Sequence, residues 1–206
     1  LSKGRLNLCF GAGSVTADQE LYGLDPKNGS AMVQEAIEII LYLWSNDPPY
    51  HYDGQFWQIN LDESVDQETG IGFIHRPLQQ PHAPIAIPAM SRNSSSMKMA
   101  GARGYQPFAH CLVTGNVVAD FFSTYEAAAQ EAGITPDRSQ YKVARSIFLA
   151  DTTKEAQHLA RTNSLGNNFE YIGRLFDKGL GRKIYKRDVE MPDAECNLDF
   201  LMTEQI

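Results

Sequence analysis

Apolar residues in this chain fall into short continuous runs, separated by stretches in which they recur every three or four positions. The run Leu6-Asn7-Leu8-Cys9-Phe10 is closed by Gly11-Ala12-Gly13-Ser14, which predicts a buried strand ending in a tight turn. Met32, Ala36, Ile39, Ile40 and Leu43 then share one face of a predicted helix over 31–44, with Asp25-Pro26 and Asn28-Gly29-Ser30 as start signals. The pattern changes in 46–82. There Tyr50-His51-Tyr52-Asp53-Gly54-Gln55-Phe56-Trp57 sets an Asp-Gly turn between aromatic runs, which predicts a hairpin within an insertion.

Past the insertion, strands are predicted at 84–89, 106–112 and 142–150, and helices at 95–104, 117–132 and 153–161. Strict alternation fails in the last strand, but Val143, Ile147 and Phe148 are β-formers and Leu149 extends the apolar run. Beyond Arg161 the periodicity weakens. Gly166, Gly173, Gly179 and Gly181, with Arg182, Lys183, Lys186 and Arg187, leave one short helix over 169–176 and a long connection. Residues 163–195 are therefore expected to be a mobile loop.

Alternating strands and helices imply parallel strands joined by crossovers. Strands at 6–10, 84–89, 106–112 and 142–150 make about half of a closed (β/α)8 barrel, which typically needs about 250 residues. The expected fold is α/β: one domain over 1–206, a TIM-type (β/α)8 barrel that is incomplete here. Trp44 and Trp57 are expected to pack the insertion onto it. An open doubly wound sheet is the alternative, but no G-x-G-x-x-G fingerprint supports it.

Charge narrows the function. The 206 residues carry a formal net charge of −7, with basic residues mostly scattered, so no nucleic-acid partner is expected. No apolar run approaches the roughly 20 residues that span a bilayer, and no signal peptide is visible; no membrane association and a cytoplasmic location are expected. Cys9, Cys111 and Cys196 read as reduced thiols, with Cys9 and Cys111 in the core. No histidine has a partner at metal-ligand spacing, and no metal is expected. Leu1-Ser2-Lys3-Gly4-Arg5 runs straight into the first strand and reads like the middle of a protein.

Candidate chemistry gathers in 76–104. Ser91, Arg92, Asn93 and Ser94 form a polar turn where a helix starts, and helix N-termini present unpaired N–H groups and partial positive charge to an anion. Simple helix capping is the other reading. Gly11, Gly13 and Ser14 end the first strand, where glycine lets a planar ring approach the backbone. His110 ends the strand at 106–112 and is the candidate catalytic residue, with a structural role as the alternative.

Several short motifs occur in a telling order: Gly4-Arg5 before a strand ending Gly11-x-Gly13, then Glu35-Ala36-x-Glu38-Ile39-Ile40, then Tyr52-x-Gly54-x-x-Trp57. Pro77-x-Gln79-x-Pro81-His82-x-Pro84-Ile85, Ser91-x-Asn93-Ser94, Ala100-Gly101-x-x-Gly104 and Arg145-x-Ile147-Phe148-x-Ala150-Asp151-Thr152 follow. In this order and spacing the chain resembles the bacterial luciferase-like flavin-dependent monooxygenases, closest to the limonene- and alkane-monooxygenase-like branch. The resemblance implies a barrel that binds reduced FMN, or in some branches F420, at its C-terminal face. It implies oxygenation of a small, apolar organic substrate with O2, reduced flavin supplied by a separate reductase, and a homo-oligomer. It places the flavin phosphate at Ser91, Asn93 and Ser94, with Arg92 as added charge where the family usually has a small residue or Pro. It makes 6–10 the fourth barrel strand, with the first three strands and the last outside 1–206, and 163–195 a lid over the active face. An F420-dependent oxidoreductase and a non-catalytic, truncated flavin-binding protein are the alternatives.

Overall fold

The structure, a computed structural model, describes residues 2–176 and 181–204. In chain order its elements are β1 (Leu8–Cys9), α1 (Thr16–Leu21), α2 (Gly29–Ser45), β2 (Tyr50–Asp53), β3 (Gln58–Leu61), β4 (Ile85–Ala89) and α3 (Ser95–Arg103). They continue with β5 (Gln106–Ala109), α4 (Gly115–Glu131), β6 (Lys142–Val143), α5 (Thr153–Thr162), α6 (Ser164–Leu175) and α7 (Leu198–Glu204). These residues divide into two compact units: the chain up to Ala12 with Asp25–Ile85, and Gly13–Leu24 with the chain from Ala86 on.

In the first unit β1 is two residues long, shorter than the expected 6–10, and Leu8 N–H donates to Pro84 C=O at 2.8 Å. The Asp53-Gly54 turn joins β2 and β3 as an antiparallel hairpin in register Tyr50↔Leu61 to Asp53↔Gln58. The hairpin is tied to α2 by a carboxylate. Glu35, only 8% exposed, accepts the N–H groups of Gln55, Phe56 and Trp57, each at 3.0 Å to one of its oxygens. A Cβ on Gly54 would collide with that carboxylate and with Trp57 C=O, so the turn needs glycine there. The most buried residues of α2 are Glu35, Ile37 and Ile39; of the expected stripe only Ile39 is among them, and the hairpin amides draw Glu35 inward. The ring of Trp57 was expected to pack the insertion. It is instead 38% exposed, and the backbone of Trp57 makes the tie.

In the second unit β4 pairs β5 in parallel (Ala86↔Gln106 to Ala89↔Ala109), and β5 pairs β6 in parallel (Phe108↔Lys142, Ala109↔Val143). The helices α3 and α4 approach closely at Gly101, where a Cβ would meet Tyr125 C=O and Ala128 Cβ. Gly104 stops α3 with φ +68°, a left-handed conformation that glycine adopts freely.

The strand expected at 142–150 is only Lys142–Val143, with one further ladder bond from Ala144 N–H to Ala109 C=O at 2.9 Å. Its neighbour β5 ends at Ala109, not at 112, so no partner carbonyls remain. Ile147 and Leu149 are 76% and 88% exposed, while Phe148 packs on Ala160, Leu165 and Met202. The long connection expected after a short 169–176 helix is also different. Residues 164–175 form α6, 181–185 a 3-10 turn, and 198–204 α7; Gly179 lies outside the described residues. Phe169, Ile184 and Tyr185 are buried there, the Phe169 and Tyr185 rings lying 5.4 Å apart. The buried thiol is Cys196; Cys9 is exposed and Cys111 intermediate, against the expectation of a core role for both.

Glu35→Ala would leave three backbone N–H groups of the hairpin turn without their acceptor. It is expected to lower unfolding free energy by about 2–4 kcal/mol in a urea titration, with Glu35→Gln costing less. Wild-type stability in Glu35→Ala would show that the carboxylate does not hold the hairpin.

Candidate functional site

Strands running in the same direction release their following turns at one edge. In the second unit β4, β5 and β6 are such neighbours, so the turns after Ala89, Ala109 and Val143 share that edge. Ligands of parallel α/β sheets bind there.

The turn after β4 holds the serine motif, and its groups have divided tasks. Ser94 is the N-cap residue of α3, buried, with its side chain making no cap hydrogen bond. Asn93 has φ +49°, a left-handed conformation that asparagine tolerates, and its N–H donates to Asp120 Oδ2 on α4 at 2.8 Å. That amide is committed to a protein carboxylate. Arg92 donates through Nε at 3.1 Å and Nη2 at 2.8 Å to Arg187 C=O. Asn116 Nδ2, from the first turn of α4, reaches the same oxygen at 3.1 Å, while its Oδ1 accepts from the buried Thr114 hydroxyl at 2.5 Å.

Between this turn and the 183–189 segment lies a cavity of about 170 Å³. Met90, Ser91 and Arg92 line one side, with Lys183, Lys186, Arg187 and Asp188 opposite, and Val117, Ile184 and Val189 help make its exposed surface mostly apolar. Lys186 is 8% exposed and ion-paired with Asp193. Its hydrogen bond and charge hold the Asp193 carboxyl below the usual carboxylate range. Arg187 pairs with Glu204 at 2.5 Å. Asp188 is the acid on the wall, and its Oδ1 accepts the N–H groups of Glu190 and Met191 at 3.1 and 2.9 Å.

Of the other sequence-derived residues, Ser14 approaches this turn, its hydroxyl 3.9 Å from Met90 Sδ. Gly13 has φ +68°, with open space where a Cβ would stand. Gly11 belongs to the first unit. His110 follows β5 and is half-buried; its Nδ1 accepts Leu112 N–H at 3.3 Å, which assigns the ring proton of the neutral form to Nε2. Burial lowers its pKa from the ordinary 6.5. Among the described residues no group of three His, Cys, Asp or Glu is placed to hold a metal, and no helix is long and apolar enough to cross a membrane.

Sequence reasoning missed Asp120, Asn116 and Thr114, because nothing in their local pattern marks them. The charge cluster at 182–187 was visible but read as solvated loop. The buried Ile184-Tyr185 pair between its cations was the available signal.

The strand–helix order and the parallel sheet make this an α/β protein, and its fold neighbours are of the luciferase-like, TIM-barrel type. Residues 1–191 match the luciferase-like monooxygenase family, and the chain belongs to it. It is 29% identical to a 3,6-diketocamphane 1,6-monooxygenase of Pseudomonas putida, over 97% of this chain and 57% of that protein. It is 30% identical to 2,5-diketocamphane 1,2-monooxygenase 1 of the same organism, over 97% and 56%. A solved structure of the oxygenating constituent of 3,6-diketocamphane monooxygenase from P. putida, a type II Baeyer–Villiger monooxygenase in complex with FMN, superposes with a TM-score of 0.77. That superposition covers 98% of this chain and 56% of that one, at 29% identity. The chain thus spans about half the length of the relatives it matches.

His110 is expected to titrate below 6.5 by NMR, with the neutral ring carrying its proton on Nε2. Its folded pKa lies below its unfolded one, so its contribution to stability is complete above the unfolded value. That contribution is lost as pH falls through the folded pKa. His110→Asn should therefore flatten the acid side of a stability-against-pH curve. A midpoint at or above 6.5 would contradict the assigned burial.

Proposed function

We propose that the chain is part of the oxygenating component of a two-component monooxygenase that uses reduced FMN and O2 to oxygenate a small, apolar organic substrate. The observation that carries this reading is the small cavity beside the serine turn, lined by Ser91 and several basic residues, at the ligand edge of a parallel sheet. Family membership and the FMN-bound relative support it.

The donor set fits a phosphate ester. Among the lining groups Ser91 and Lys183 are the ones left to meet its anionic oxygens, since Arg92 holds a carbonyl and Lys186 and Arg187 are ion-paired. At about 170 Å³ the cavity is smaller than the roughly 300–1,000 Å³ of whole-ligand pockets. It suits the phosphate end of a cofactor rather than the whole flavin. With the Asn93 amide held by Asp120, the weight of anion binding moves from that amide to Ser91 and Lys183.

Reduced FMN supplies the electrons that activate O2 for transfer of one oxygen atom to the substrate. The residues of this chain bind and orient it, and the 183–189 segment keeps water from the phosphate. His110, neutral with a donor at Nε2, is the candidate to hydrogen-bond the reacting groups. The relative described as an oxygenating constituent supports a separate reductase as partner. We also take 1–206 as part of a TIM-type (β/α)8 barrel. The bare Ile147 and Leu149 beyond β6 suit coverage by further barrel elements, since a closed barrel leaves no exposed edge.

Calorimetric titration of the full-length protein with reduced FMN and with reduced F420, without O2, tests the reading. Tighter binding of FMN is expected, followed by oxygenated product when O2 and apolar ketones are added. Binding of F420 alone would favour a hydride-transferring relative instead. Ser91→Asp should weaken FMN about tenfold or more, since exposed Ser91 lines the cavity and an added carboxylate would repel the phosphate. Unchanged affinity would move the phosphate elsewhere.

A further inference from the structure

Side by side, α3 and α4 leave an open groove of about 730 Å³ along their length. Short side chains line it: Ala102 on α3, Ala128 on α4 and Ala132 just past α4. Lys98 of α3 and Glu131 of α4 line it too, one cation and one anion. Neither makes an ion pair with any of the described residues. On α4, Ser123, Ala127 and Glu131 are exposed, border the groove and recur every four residues, so they form one ridge.

The two helices run in the same direction. The Asn93 amide meets Asp120 at one end, and Gly101 faces Tyr125 and Ala128 further along. That register sets Lys98 at the level of Ser123 and Thr124, with Glu131 roughly two turns on. Ala127 is midway between Ser123 and Glu131, about 6 Å of helix from each. A two-fold axis through Ala127 therefore sets Lys98 of either copy opposite Glu131 of the other. The match occurs twice, as an isologous contact requires. In the same arrangement the ridge of each α4 enters the groove of the other copy, and the alanines let the helices approach closely. A parallel alignment in register would set like charges level with each other instead.

We propose that a second copy of this chain docks on this groove, with the two α4 helices antiparallel and crossing at Ala127, and with Lys98 paired to Glu131 across the two-fold axis. The resemblance implies a homo-oligomer without saying which surface meets which. Burial of the small ridge supplies the attraction, and the charge pairs fix the direction of the helices. The contact does not involve the flavin site, so its failure leaves the reading above untouched.

The test uses the full-length protein. Ala127→Cys places two thiols at the axis, so mild oxidation should link copies into covalent dimers. The unsubstituted protein, whose Cys9 is exposed, gives the background. Ala119→Cys lies on the same exposed ridge about 12 Å from the axis in each copy, beyond disulfide reach, and should link no more than that background. Sedimentation then measures self-association. Lys98→Glu and Glu131→Lys should each weaken it about tenfold or more, because two attractive pairs become repulsive. The double exchange should restore it, and salt should weaken the wild type. All four substituted positions are exposed, and an unchanged melting temperature would confirm that each variant folds.

Equal linking of Ala127→Cys and Ala119→Cys would overturn the proposal, as would a monomeric wild type. Association that ignores both charge reversals, or that the double exchange does not rescue, would overturn the pairing of Lys98 with Glu131. Assemblies that keep growing with concentration would mean head-to-tail contact and would overturn the two-fold axis.

Discussion

Parallel pairing of β4, β5 and β6 is the constraint from which the candidate site follows. Each strand must be followed by a crossover, and each crossover leaves at the same edge. The serine turn, His110 and the start of α4 therefore sit at one end of the sheet, although α3 and β5 run between the turn and His110. The glycine in α3 serves the same arrangement. With Gly101 against Tyr125 C=O, α3 and α4 pack closely, which lets Asp120 on α4 reach the amide of Asn93 in the turn ahead of α3.

Polar groups near that edge satisfy one another before any ligand does. Asp120 takes the Asn93 amide, Arg187 C=O takes the Arg92 fork and the Asn116 amide, and Asp188 accepts two backbone N–H groups. Buried or half-buried donors left alone would cost free energy, so the turn is preorganised by internal bonds. In the strap at 183–189, Lys186 and Arg187 are likewise satisfied, by Asp193 and Glu204.

Several motif residues that mark the family turn out to be architectural. Glu35, Gly54 and Trp57 meet in one hairpin cradle, where a carboxylate accepts the turn's amides and only glycine fits beside it. Gly101 sets a helix contact and Gly104 ends a helix. Arg92 has a different effect: it links the turn to a distant strap through a carbonyl.

The strand–helix alternation, the Asp53-Gly54 hairpin and the start of α3 were legible in the sequence, because turn chemistry and side-chain periodicity are local and speak for themselves. Strand length was less so. A strand persists only as far as its neighbour offers partners, and β6 stops where β5 stops, leaving Ile147 and Leu149 bare. After Arg161 the sequence showed a short helix and a long connection; the full length of α6 and the 181–185 turn were missed because order there comes from distant contacts, such as Tyr185 on Phe169 and Cys196 on Arg182 C=O, which leave no local period. The serine turn was named from sequence, but the distribution of its bonds was not. Which amide Asp120 takes and which carbonyl Arg92 holds depend on how α4 and the strap pack, and a hydrogen bond across 95 residues has no signature in either partner's neighbourhood.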